Sequence, residues 1–106
     1  MHKVYVNKVD FCFFYNVKIT ADICNFPIET VVVDAETQKT KEWKEKMGHR
    51  FWPIMETPQG DIISESSAIA AYIARAAGNK SFIGQSDFEE AQVDQWCSFA
   101  CTSIAT

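Results

Sequence analysis

The chain has 106 residues, 47% of them apolar, and a formal net charge of −4. A chain of this length holds one domain at most and buries ~60–65% of its unfolded surface, so a core is feasible without staples. The acidic balance argues against direct contact with nucleic acid and says nothing about fold.

The four cysteines form no C-x-x-C pair and no paired Cys/His spacing. His2 and His49 stand far apart, so no metal site is predicted. The first eight residues, Met1 to Lys8, hold no long apolar run. Every apolar stretch is far short of a membrane span, so no membrane contact is predicted. Free thiols and a cytoplasmic setting are expected.

In chain order, Lys3 to Val6 reads as a short strand with Val9 as its outer limit. Residues 12 to 24 are apolar nearly all round. Val17, Ala21 and Cys24 keep helical spacing on one side, and Ile19, Ile23 and Phe26 on another, which predicts a helix buried on both sides. Asn25 and Pro27 end it. The β-branched run Ile28 to Val33 is a strand. Residues 37 to 47 form a thin, mostly solvated helix with Thr37 or Thr40 as N-cap, apolar only at Trp43 and Met47, and stopped by Gly48.

A hairpin follows: Phe51 to Glu56, the turn Thr57-Pro58-Gln59-Gly60, and Asp61 to Ser64. Proline second and glycine fourth in that turn suit type I. A helix from about Ser66 to Ala77 carries Ala68, Ile69, Tyr72, Ile73 and Ala76 on one face, and Gly78-Asn79 closes it. Residues 79–86 are a polar linker. From about Asp87 a last helix places Val93, Trp96, Cys97, Ala100, Cys101 and Ile104 on one apolar stripe, where Cys97 and Cys101 read as packing residues. The order β-α-β-α-β-β-α, with a right-handed crossover first and a hairpin last, is a thioredoxin-like α/β sandwich followed by one helix.

Two features mark a small-molecule site. Pro53 heads a short apolar strand although it cannot donate to a sheet ladder. The helix after the hairpin opens on serines, and a helix N-terminus carries unpaired N–H groups and partial positive charge that suit a carboxylate. Ser66 is also a good N-cap in its own right.

The element order, with Trp52-Pro53-Ile54 and Glu65-Ser66-Ser67-Ala68-Ile69, resembles the N-terminal domain of the glutathione transferase superfamily. Thr57-Pro58-Gln59-Gly60, the run Ala68 to Arg75 and Gln92-Val93-Asp94-Gln95-Trp96 are similar to the elongation factor 1 gamma branch. Transferase-like domains fused to some aminoacyl-tRNA synthetases share many of these cues.

The resemblance implies a cis bond before Pro53, with the Trp52 backbone pairing with the cysteinyl part of glutathione. It implies that Ser66 holds the γ-glutamyl carboxylate and that Glu65 faces the ammonium group. Relatives that catalyse use a Tyr or Ser after the first strand to stabilise the thiolate, and neither Tyr5 nor Tyr15 falls there. Cys12 precedes the first helix much as the cysteine of omega-like transferases does, which makes it the candidate catalytic thiol, able to form a mixed disulfide with glutathione.

The resemblance further implies a transferase-like domain over residues 1–78, the linker 79–86, and a first helix of an all-helical second domain over 87–106. The stripe Val93, Trp96, Ala100 and Ile104 then needs neighbours beyond this chain and is the expected interface. The implied function is a scaffold that docks protein subunits in translation elongation, notably nucleotide-exchange subunits, or that forms a homodimer. The alternatives are an active glutathione transferase, a Cys12-dependent thiol transferase, and an assembly domain of a synthetase. Glutathione is the expected ligand or substrate, with no other cofactor.

Overall fold

The computed structural model describes residues 1–7, 12–48 and 50–100, with Cys12 placed by its backbone. Four strands form one sheet in the order β2-β1-β3-β4. They are β1 (His2–Val6), β2 (Ile28–Val32), β3 (Ile54–Glu56) and β4 (Ile62–Ser64). β1 pairs parallel with β2 and antiparallel with β3, and β3 pairs antiparallel with β4. This is the thioredoxin-like arrangement.

Alternation along the strands decides which side chains meet. Val4 and Val6 of β1 and Met55 of β3 point to one face. There they pack with Phe14, Val17 and Ala21 of α1 (Cys12–Ile23) and with Ile69 and Ile73 of α4 (Ser66–Ala76). α1 and α4 lie side by side on that face. The out-of-phase residues Tyr5 and Glu56 point to the other face, which is covered by α3 (Lys41–Met47): Trp43 lies edge-on to the Tyr5 ring, and Lys46 bonds Glu56.

Helix ends follow the residues that allow them. At the end of α1, Asn25 takes φ 52°. Phe26 N–H reaches the Ala21 carbonyl (2.9 Å) and Asn25 N–H that of Asp22 (3.3 Å), which satisfies the last carbonyls in a Schellman arrangement. Gly78, at φ 74°, closes α4 in the same way through Asn79 N–H to Ala74 (2.9 Å). α5 (Asp87–Phe99) opens on Ser86, whose Oγ accepts from Glu89 N–H (3.2 Å), while Glu89 Oε1 accepts from Gln85 N–H (3.1 Å). Gly84 lies under this start: a Cβ there would sit 2.7 Å from the Glu90 nitrogen.

Three expectations are corrected. Residues 37 to 47 are not one helix. Asp34 caps a short α2 (Ala35–Gln38) by accepting from Thr37 N–H, and Thr40 caps α3 by accepting from Trp43 N–H (3.2 Å), so two competing caps split the run. α1 is buried on one side only: Ile19 and Ile23 are 56% and 58% exposed. The strand expected from Phe51 begins at Ile54, and Phe51 is 75% exposed. The segment after α4 carries a single 3-10 turn, Lys80–Phe82.

Candidate functional site

The sheet register assembles the site. Tyr5 opposes Ile54, and Ile54 opposes Ser64. One step beyond these pairs brings the end of β1, Pro53 and Glu65 to the same end of the sheet. α4 starts there, directly after β4, and so does α1, since it follows β1. Residues more than ten positions apart in sequence, Trp52-Pro53 and Glu65-Ser66, therefore come together because the turn Thr57-Pro58-Gln59-Gly60 folds the hairpin back. That turn is fixed by Gly60 N–H to the Thr57 carbonyl (2.9 Å) and Asp61 N–H to Thr57 Oγ1 (3.1 Å).

The Trp52–Pro53 bond is cis, and Pro53 is fully buried. Glu65 holds φ 76° and ψ 116°, a left-handed backbone that a non-glycine residue adopts only at a cost of about 1–3 kcal/mol. Such strain is retained where surrounding structure imposes it, and it often marks a functional site. Glu65 occupies the N-cap position, its side chain exposed and making no capping bond. Ser66 is therefore not the N-cap expected from sequence. It is the first helical residue and is 5% exposed. The arrangement offers an exposed carboxylate and a buried serine at the start of an 11-residue helix.

Trp52 turns its ring onto α3. It stacks on Trp43 at 5.7 Å and 28°, and Trp43 in turn meets Tyr5 edge-on at 5.4 Å and 83°. Tyr5 Oη donates to Glu56 Oε1 (2.7 Å), which also accepts from Lys46 Nζ (2.9 Å). Burial, and then the bond to Glu56, push the Tyr5 hydroxyl from its ordinary 10.0 up to about 12. The bond from Tyr5, and then that from Lys46, hold Glu56 below its ordinary 4.5. The sequence reading missed this cluster. Its signal was there in the alternation, which puts Tyr5 and Glu56 out of phase with Val4 and Met55 and so on one shared face.

The signs of these shifts make a prediction. A depressed Glu56 contributes stability that is complete above its ordinary pKa and lost as pH falls through the lower folded value. A raised Tyr5 contributes stability that is complete below about pH 10 and lost as pH rises through about 12. Glu56→Gln is therefore expected to weaken the acid dependence of unfolding below pH 4.5. It is also expected to bring the highest phenolate transition, followed by absorbance at 295 nm, down from about 12. Unchanged phenolate titration would contradict this assignment.

The remaining candidates lie as follows. The backbone of Cys12 opens α1 at the site's end of the sheet; its side chain lies outside the described residues. Tyr15 is exposed on α1, and Tyr5 is committed to Glu56, so neither hydroxyl takes a thiolate-stabilising place. Val93 and Trp96 belong to α5 and Ala100 is its C-cap, and Val93 shares a groove with Ser67 at the start of α4; Ile104 and Cys101 lie outside the described residues. His2, at the opposite end of β1, is held by Tyr72, with Nε2 and Oη 2.9 Å apart, and lies against Phe26. Burial, and then the N-terminal charge, lower its pKa. His49 lies outside the described residues. Among those residues no group of His, Cys, Asp and Glu is placed to hold a metal ion, and no helix is long and apolar enough to cross a membrane.

A second feature is a groove of about 280 Å³ between α1, α4, the 3-10 turn and α5. Ile19 and Ile23 form one wall, Ala70 and Ala74 the floor, and Val93 and Cys97 of α5 the other wall. On the outer side of α5, Trp96 is 64% exposed and meets Phe99 edge-on at 5.8 Å.

The family profile described as glutathione S-transferase, N-terminal domain, matches residues 8–81. The chain belongs to this family. Among curated relatives, a probable elongation factor 1-gamma 1 of Arabidopsis thaliana is 44% identical over 52 residues, 49% of this chain. The elongation factor 1-gamma of Artemia salina is 39% identical over 72 residues, 68% of this chain. This chain spans only 12% and 16% of those relatives' lengths. Among solved structures, an epsilon-class glutathione S-transferase from housefly, Musca domestica, superposes with a TM-score of 0.83 over 98% of this chain and 48% of its own, at 24% identity. Its sequence is similar to part of these elongation factor 1-gamma chains, and its fold is that of the transferase N-terminal domain.

Proposed function

We propose that this chain serves as an assembly domain in translation elongation, docking protein partners such as nucleotide-exchange subunits, and catalyses no glutathione transfer of its own. The observation that carries this reading is the 39–44% identity to elongation factor 1-gamma chains over 52 to 72 residues. The site chemistry agrees with it. Segment 7–14 contains no Ser or Tyr, and the Tyr5 hydroxyl is spent on Glu56. On this reading residues 1–78 are the transferase-like unit, 87–106 begin a helical domain, and the protein works in the cytoplasm.

The docking surface is α5 with its groove. Val93, Trp96 and Ala100 supply apolar contact, with Ile104 as the continuation expected from sequence. The acids Asp87, Glu89, Glu90 and Asp94 all follow Lys80, the last basic residue, so this segment carries the whole net charge of −4. A partner surface with basic residues around apolar side chains complements it.

The glutathione seat is retained as a ligand site: Trp52 and Pro53 beside the cysteinyl part, Ser66 on the γ-glutamyl carboxylate, Glu65 on the ammonium. The test of this reading is glutathione consumption with the electrophile 1-chloro-2,4-dinitrobenzene, alongside retention on immobilised glutathione. The expected result is retention that Ser66→Ala weakens by about tenfold, as befits one charge-assisted bond, with no turnover above buffer. Turnover abolished by Cys12→Ser would contradict the non-catalytic assignment and establish the thiol as the catalytic group.

A further inference from the structure

We propose that Trp43 is a positioning residue for the glutathione seat, acting through its stack on Trp52; this rests on the reading that the seat binds glutathione. In the segment between α3 and β3, among the described residues, Gly48 takes φ 61°, Phe51 is 75% exposed, and Arg50 reaches back to the Met47 carbonyl of α3 (3.1 Å). The side chains that tie its far end to the fold are Pro53, fully buried, and Trp52, half-buried on Trp43.

Trp43 is held from its other side. Tyr5 meets it edge-on, and the Tyr5 hydroxyl is fixed by Glu56 of β3, which Lys46 of α3 also grips. A closed circuit of contacts therefore runs from β3 through β1 and α3 back to the residue before Pro53. The peptide of Trp52 is the group assigned to the cysteinyl part of glutathione, and the stack on Trp43 anchors the side chain of that same residue. A stacked aromatic neighbour restricts the indole to one plane, which an aliphatic side chain of similar bulk does not do. Removing the stack leaves the ligand to order this segment itself, which weakens binding without touching any atom that contacts glutathione.

The experiment is calorimetric titration of the chain with glutathione, with thermal melting of each variant. Trp43→Leu is expected to bind about tenfold more weakly, while Trp43→Phe, which keeps a ring, stays within about threefold of wild type. Met47→Ala removes the buried residue of the same helix, 2% exposed, outside the stack. It is expected to lower the melting temperature while leaving the affinity of the folded protein within about twofold. Wild-type affinity in Trp43→Leu, or equal weakening in Met47→Ala, would overturn the positioning role and leave the seat standing. No binding by wild type would overturn the seat and this inference with it. Should Trp43→Leu fail to fold, Trp43→Met takes its place: about tenfold weaker binding is expected of it as well, and wild-type affinity in that variant overturns the role.

Discussion

Ile69→Ala is expected to lower the unfolding free energy by about 2–5 kcal/mol, the range for truncating a fully buried aliphatic side chain. Ile69 is 0% exposed, in the cluster that joins α4 to Val4, Val6, Phe14, Val17 and Met55. A domain of this size has only about 5–15 kcal/mol to lose. The same residue lies one turn from Ser66, so the change loosens the helix start that the site depends on. Ile19→Ala, on the exposed side of α1, is expected to cost well under 1 kcal/mol in this chain. Urea denaturation with an unchanged m-value reads both. Equal losses would mean that the outer side of α1 is as buried as its inner side, contrary to the 56% exposure of Ile19.

Trp96→Asp is expected to weaken partner capture by at least about a hundredfold, because an exposed aromatic is a common energetic anchor of an interface and each 1.4 kcal/mol is tenfold. The substitution also adds a carboxylate to a segment that already carries four acids and no base, which a basic partner would favour, so a loss of capture reports the apolar contact. Trp96 is 64% exposed, and its ring contact is with Phe99 of the same helix, so stability should change by less than about 1 kcal/mol. Surface plasmon resonance against the immobilised partner, with a melting curve beside it, separates the two. Undiminished capture would remove α5 from the docking surface.

What could be read from sequence followed the strength of local chemistry. Asn25, Gly78 and the Thr57-Pro58-Gln59-Gly60 turn each impose a backbone geometry that few other residues accept, and the chain ends or turns at each of them. Trp52-Pro53 and Glu65-Ser66 were legible as a pair because the hairpin between them is short. Thr40 was legible as one of two candidate caps and does cap α3, but the separate turn before it was not, since its cap, Asp34, stands outside the predicted run. Ser66 was misread as a cap because serine favours that position. The chain instead places Glu65 there at positive φ and turns Ser66 inward, a strain that propensity argues against. The groove was illegible for a different reason. Periodicity shows that Ile19 and Ile23 share a side of α1, but not whether anything packs on it. The Trp43–Trp52 stack joins two elements on a shared face, and no local pattern announces it.

On the proposed reading this domain docks a protein partner in place of catalysis. The most direct measurement is analytical ultracentrifugation of the chain mixed with a purified nucleotide-exchange subunit of elongation factor 1, with and without glutathione. The expected result is a defined heteromeric complex that forms without glutathione and is lost in Trp96→Asp. Two species sedimenting separately at every concentration, from a chain that turns over glutathione through Cys12, would contradict it.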